Sequence, residues 1–349
     1  TSRCLDAILR AQGLRTGRYL SPHLESVRER IAVDGELIGE ADFAAHVDAV
    51  LAASAPATTF FEAITAAACL HFAAARTDAV VLEVGLGGRL DATTAVPTTH
   101  TVITEISFDH MELLGSTLEA IAAEKAATIR TGVPVFTGVD PATGPGRVIR
   151  EAAARLDAPF RYVPPPRDAK PEGLGVRWGD VLLPVLGRHQ AHNAALAAAA
   201  TGDLPWETVA RGLAAARHPG CAEPRGGEPA VVVDGAHTVS SIKATVGAIR
   251  DHFPDQRPHL VFALAQDKDL DGIAAVLAPA VARAFCTRAD AKRGRDAEAL
   301  AAHPAWQGRA GAVPDAADAL GRARAAAGPR GLVLVTGSFY LAGALRPLT

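Results

Sequence analysis

Glu83 closes an apolar, β-branched run, Asp78-Ala-Val-Val-Leu-Glu83, and is followed at once by Gly85, Gly87 and Gly88. A carboxylate in that place can hold Mg2+, and the glycines let backbone approach a ligand closely. The plain alternative is a tight turn with no chemistry. Asp109-His110 follows a second such run ending at Ile106; the imidazole suits a metal or catalysis, or a structural hydrogen bond. Glu124-Lys125 falls in a helical stretch, where such a pair is ordinarily a solvated face. His189 and Asn193 are four apart on one predicted helix, so both can touch a single nucleobase or ribose, or form a cap network. Asp234, in Val233-Asp-Gly-Ala-His237, leaves a third apolar run; it can take a ribose hydroxyl or cap the next helix.

The elements that must position these residues follow from periodicity. Residues 1–13 read as an amphipathic helix, with Leu5, Ile8 and Leu9 on one face and Gly13 as its stop. Two helices are expected within 41–75. Buried strands are expected at 78–83, 101–106 and 133–136, with a helix at 117–130. Residues 141–186 are rich in Pro and Gly, with short strands near Val176 and at 181–186, and a helix then runs from His189 to Ala200. Past Arg217 to Gly220 the alternation restarts: strand 230–233, helix 239–252, strand 259–262, helix 270–278 and strand 332–335. Strands alternating with helices imply parallel sheets, with functional residues just beyond the carboxyl ends of the strands.

Composition excludes several classes. The chain has 349 residues, enough for about two domains, and 49 % hydrophobic residues, which argues against disorder. Net charge is −3 with no Lys/Arg block, so nucleic acid is not an expected partner. The most apolar stretch, Phe60 to Ala75, is broken by Glu62 and His71 and is too short for a bilayer, and no secretory signal opens the sequence. No membrane partner is expected. Cys4, Cys69, Cys221 and Cys286 are far apart, without a CxxC pair; reduced thiols and a cytoplasmic location are the expectation.

The order and spacing of the segments resemble the folylpolyglutamate synthase and dihydrofolate synthase family of the Mur ligase superfamily. The resemblance runs end to end. It rests on Ser21-Pro22-His23-Leu24 with Glu29-Arg30-Ile31, Phe60-Phe61-Glu62, the Leu82 to Thr93 segment, Asp109-His110, Leu114-Gly115 and Glu124-Lys125-Ala126. It continues through Gly187, His189-Gln190, Asn193-Ala194, Pro219-Gly220, Asp234-Gly-Ala-His237, Asp267-Lys268-Asp269, Thr287-Arg288 and Thr336-Gly337-Ser338. The fold it implies is α/β and Mur ligase-like. A parallel-sheet P-loop-type ATPase domain, here without its first strand and P-loop, would span 1–217, and a smaller Rossmann-like domain 218–349.

The resemblance implies a ligase that uses ATP to convert a carboxylate of dihydropteroate or a reduced folate into an acyl phosphate, which the amine of L-glutamate attacks. ADP and phosphate would be released. It implies Glu83, His110 and a carbamylated Lys125 as catalytic residues and Mg2+ ligands. Asn193, Gln190, Asp234 and His237 would hold ATP. Ser21 and His23 would lie beside the pterin, and Lys268 and Ser338 on the glutamate or phosphate side. A monomer, and a site between two closing domains, are the family expectation.

Some positions depart from the pattern. Family members open with a Gly-Thr-Asn-Gly-Lys-Gly-Ser/Thr loop, and Thr1 falls one residue after its end. Such a loop at a helix N-terminus cradles phosphates, so the chain as it stands is expected to turn over little, and an exposed sheet edge is expected as well. His218-Pro219-Gly220-Cys221 replaces Trp-Pro-Gly-Arg, Arg225 stands at the wrong spacing to replace that arginine, Thr238 replaces an Asn, and Thr94-Ala95 replaces Asn-Val. Two rival readings stay open: a non-catalytic homologue with a binding or regulatory role, and a Mur-type ligase with another acceptor.

Overall fold

The computed structural model describes residues 1–349, which divide into two compact units. The first comprises Thr1–Asp168, Trp178–Val181 and Gln190–Ala216, and the second Ala169–Arg177, Leu182–His189 and Arg217–Thr349.

The first unit opens with α1 (Ser2–Ala11) and β1 (Thr16–Tyr19), then β2 (Ile31–Val33), β3 (Glu36–Leu37), α2 (Glu40–Ala53), α3 (Phe60–Ala74) and β4 (Ala79–Leu82). The strand order is β3-β2-β1-β4, with β1 antiparallel to β2 and parallel to β4. β5 (Thr101–Ile103), α4 (Met111–Leu114), α5 (Leu118–Ala126), β6 (Val135–Thr137), α6 (Gly144–Arg155) and β7 (Phe160–Tyr162) follow. They form a separate parallel sheet, β5-β6-β7. β4 is thus a sheet edge and Val80 is 41 % exposed, where the sequence suggested a fully buried strand. Tyr19, Ile31, Ile64, Ala68 and Phe72 make one core of this unit, and Ile103, Ala122, Val135 and Ile149 another.

The face that α1 buries differs from the expected one. Cys4, Ala7 and Ile8 are buried, Leu5 and Leu9 only partly, and Asp6 is buried completely. Asp6 is satisfied by the hydroxyl of Thr16 at 2.6 Å and the guanidinium of Arg18 at 2.9 Å, both from β1. A buried carboxylate is tolerated when paired and hydrogen-bonded in this way.

β8 (Lys170–Glu172), β9 (Gly175–Trp178) and β10 (Val181–Leu183) form a small sheet, before α7 (Arg188–Ala200) and α8 (Trp206–Ala215). The second unit then runs β11 (Glu223–Arg225), β12 (Ala230–Val233), α9 (Val239–His252), β13 (His259–Phe262), α10 (Leu270–Ala280), β14 (Arg283–Cys286), α11 (Ala297–Ala301), β15 (Ala310–Ala312), α12 (Ala316–Ala327), β16 (Leu332–Thr336) and α13 (Phe339–Leu345). Its six strands lie in the order β11-β12-β16-β13-β14-β15, parallel except for β11. β12, β13 and β16 read as near-continuous apolar runs because helices cover both faces of such a sheet. Its core gathers Val232, Leu260, Phe262, Ile273, Leu277, Trp306 and Leu334. No helix is long and apolar enough to cross a membrane.

Candidate functional site

In the first unit the glycine turn after β4 is pinned from within. Asp91 accepts from the N–H groups of Gly85 at 2.9 Å and Leu86 at 3.0 Å, and from Thr93 N–H at 3.0 Å and its hydroxyl at 2.6 Å. Asp91 is only 8 % exposed. Sequence reasoning passed over it, although an Asp two residues before a Thr in a turn is a readable local hydrogen-bonding pattern. Gly87 has φ 68°, a left-handed conformation that favours glycine. At Gly88 a Cβ would stand 2.5 Å from the carbonyl oxygen of Glu124 and 3.3 Å from Cα of Lys125. The glycine is therefore what lets the turn press onto α5.

That contact sets the surroundings of Lys125. Burial holds its ammonium below the usual lysine range, against the pull of Asp109 and Asp91. Its neighbour Glu124 accepts from Arg89 at 2.9 Å. Glu83, at the end of β4, has its carboxyl pushed up by burial. The N–H of Ser21, with Arg3 and Arg18, opposes that rise. Ser21 thus meets Glu83 through its backbone. His110 is left-handed at φ 49°, with its N–H donating to Asp109 Oδ1 at 2.9 Å and its ring 40 % exposed. Non-glycine residues held there store strain, a feature that concentrates at functional sites.

Nowhere do three His, Cys, Asp or Glu side chains gather as a metal cage. Magnesium does not need one: it keeps waters and phosphate oxygens and takes one or two protein carboxylates. A half-buried carboxylate such as Glu83 fits that demand.

His23 accepts at Nδ1 from Arg30 Nε at 2.9 Å, and burial followed by the Arg30 charge holds the imidazole below its ordinary pKa. Arg30 also lies over the Phe60 ring at 5.6 Å. On α7, Asn193 donates to Gln190 Oε1 at 3.1 Å and accepts from the Thr1 hydroxyl at 3.1 Å. Asn193 and Gln190 are therefore brought together.

In the second unit Asp234 is the fixed point of the turn after β12. It takes the hydroxyl of Thr245 and the N–H groups of Ala236, Ala222 and Gly235. Burial dominates these donors and pushes its carboxyl up to about 6. The donors at 222 and 245 come from distant segments and leave no local trace. His237 donates through Nδ1–H to Gly235 O at 2.9 Å, which fixes the orientation of its ring. The ring meets Phe339 edge-on at 5.6 Å. Thr238 caps α9 in a reciprocal box with Ser241, so the Asn it replaces is not missed as a cap. Ser338 caps α13 through Tyr340 N–H at 3.2 Å. Lys268 lies 3.5 Å from Asp267, its side chain 11 % exposed. Arg225 is committed to Glu223 at 3.2 Å and the Thr349 hydroxyl at 3.1 Å. Its guanidinium is tied into the end of the chain.

Comparison with known proteins gives this geometry a context. Residues 33–134 match the Mur ligase middle domain, and residues 222–339 the Mur ligase, glutamate ligase domain. A dihydrofolate synthase/folylpolyglutamate synthase of Mycobacterium tuberculosis is 35 % identical, over 86 % of this chain and 70 % of its own length. A probable bifunctional folylpolyglutamate synthase/dihydropteroate synthase of Haloferax volcanii is 38 % identical over 99 % of this chain, which spans 44 % of that protein's length. The solved structure of the Mycobacterium tuberculosis folylpolyglutamate synthase complexed with ADP superposes with a TM-score of 0.91 and 32 % identity, covering 99 % of this chain and 87 % of that one. This chain belongs to the folylpolyglutamate synthase and dihydrofolate synthase family, with the Mur ligase fold.

Proposed function

We propose that the protein is an ATP-dependent ligase that joins L-glutamate to the carboxylate of dihydropteroate or a reduced folate, releasing ADP and phosphate. The observation that carries this reading is the assembly around the β4 turn. Glu83 follows directly on the strand in a half-buried place, the Asp91-pinned glycines come next, and Gly88 seats that turn on α5 at Lys125. A fixed scaffold of this kind suits phosphoryl transfer, where catalysis is mostly positioning and charge neutralisation.

Glu83, His110 and Lys125 are the residues to which Mg2+ would bind, where it would neutralise phosphate charge. Lys125 would serve as a carbamate. A buried amine with a depressed pKa is neutral more often than a surface lysine. The neutral nitrogen attacks the carbon of CO2 and gives up a proton to solvent, which leaves an anionic carbamate. Asn193 and Gln190, already hydrogen-bonded to each other, offer amide groups to the nucleotide. His237 offers its imidazole, and Asp234 acts by holding the turn that carries it. Ser21 and His23 would face the pterin, and Lys268 and Ser338 the glutamate or phosphate.

The test uses the natural full-length protein. Glu83→Gln keeps the size and loses the charge; it is expected to abolish ATP-dependent ligation while the thermal midpoint stays near wild type. Lys125→Ala is expected to be nearly inactive and partly restored by a short carboxylic acid such as acetate. Ordinary turnover in Glu83→Gln, or wild-type turnover unaffected by removal of CO2, would refute the corresponding role.

A further inference from the structure

β13 and β14 are parallel neighbours, so the loops that leave Phe262 and Cys286 emerge at the same edge of the second unit's sheet. These loops are stapled together. Arg295 N–H donates to Leu264 O at 2.8 Å and Gln266 N–H to Arg293 O at 2.9 Å, and Ala265 bridges Gly294 in antiparallel fashion. The side chain of Arg295 adds a fork: Nη2 donates to Gln266 O at 2.8 Å and to Lys268 O at 3.0 Å. The loop that supplies Arg295 is itself rigid, because Asp290 accepts from Lys292 N–H at 2.7 Å and Arg293 N–H at 3.1 Å. Lys268 is what this staple delivers. Its side chain is 11 % exposed, whereas Asp267, 3.5 Å away, is 62 % exposed. With its stem covered and its backbone held, the ammonium is confined to the neighbourhood of Asp267, and the carboxylates of glutamate have the right chemistry to meet it there. The carboxyl ends of parallel strands are also where such sheets bind ligands.

We propose that Arg295 is a positioning residue for the incoming amino acid: its guanidinium holds the backbone of 264–268 so that the Lys268 ammonium receives a glutamate carboxylate. The inference rests on the ligase reading and on the place of Lys268 in it. It adds a residue that the family pattern and the sequence did not single out.

The experiment measures steady-state kinetics for glutamate and ATP in the full-length protein with Arg295→Gln, Arg295→Lys, Lys268→Gln and the Arg295→Gln/Lys268→Gln double variant. Arg295→Gln is expected to raise KM for glutamate about tenfold, the effect of one charge-assisted interaction, while kcat and KM for ATP hold. Arg295→Lys should fall between it and wild type. The double variant should be no worse than Lys268→Gln alone, because both changes remove one interaction. Amide hydrogen exchange at 264–268 should rise in Arg295→Gln, a reading independent of turnover. A response at Lys268 with none at Arg295 overturns this inference and spares the ligase reading. No response at Lys268 overturns both the inference and the place given to Lys268. Equal rises in KM for glutamate and ATP would show a merely structural role. If Arg295→Gln does not fold, Arg295→Lys decides by the same KM comparison.

Discussion

Asp234 shows how burial and hydrogen bonding compete at one side chain. Four donors favour its charged form, yet desolvation wins and the carboxyl titrates at about 6 rather than near 3.8. The folded state therefore binds a proton more tightly than the unfolded chain. The stability this group contributes is fully present below about pH 3.8 and is lost as pH rises through about 6. Asp234→Asn cannot titrate. Its stability relative to wild type should improve between pH 4 and pH 7, read as the difference in denaturation midpoints across that range. Parallel profiles for the two proteins would show that Asp234 is not held up. Thr245→Val should raise KM for ATP more than KM for the folate substrate, because it loosens the turn that carries His237; the opposite ranking would contradict that link.

At the scale of elements, the β4 turn and α5 act as one piece. Gly88→Ala puts a methyl 2.5 Å from Glu124 O and 2.8 Å from Thr128 Cγ2. Both neighbours belong to the helix side of the contact, so something must shift. A loss of about 1–3 kcal/mol is expected by denaturant unfolding, together with weakened ligation; an unchanged midpoint would mean that the turn is not pressed onto the helix. Elements with a strong apolar period were legible from the residues alone: β12 and β13 and the limits of α9 agree residue for residue with the reading. Those that work against pattern were not. β1 is Thr-Gly-Arg-Tyr, a polar run buried between two strands, with Asp6 satisfying Thr16 and Arg18. α6 begins Gly-Pro-Gly in a stretch marked only as rich in Pro and Gly, yet proline is compatible with a first helical turn and Thr143 supplies the cap. In the site, Glu83 stood out from the residues as a carboxylate beside a glycine turn, whereas Lys125 read as part of a solvated face and was singled out only by the family resemblance. The roles of Asp91 and Arg30 were not, because they follow from which side chains the fold brings together.

At the scale of the molecule, each unit has its own core. Trp306, 1 % exposed, donates to Leu300 O at 2.9 Å and packs edge-on against Phe262. Trp306→Ala should cost about 3–5 kcal/mol and raise amide exchange in β13, β14 and β16 well before β1 and β4. Uniform loss of protection would mean that the two cores unfold as one. The central claim is chemical, and one measurement meets it most directly. The full-length protein is incubated with ATP, Mg2+, labelled L-glutamate and either dihydropteroate or tetrahydrofolate, and the products are resolved by mass spectrometry. The account predicts a folate product carrying an added glutamyl residue, one ADP for each amide, and none of it in Glu83→Gln. ADP release that ignores glutamate, or no glutamylated product with either acceptor, would contradict it.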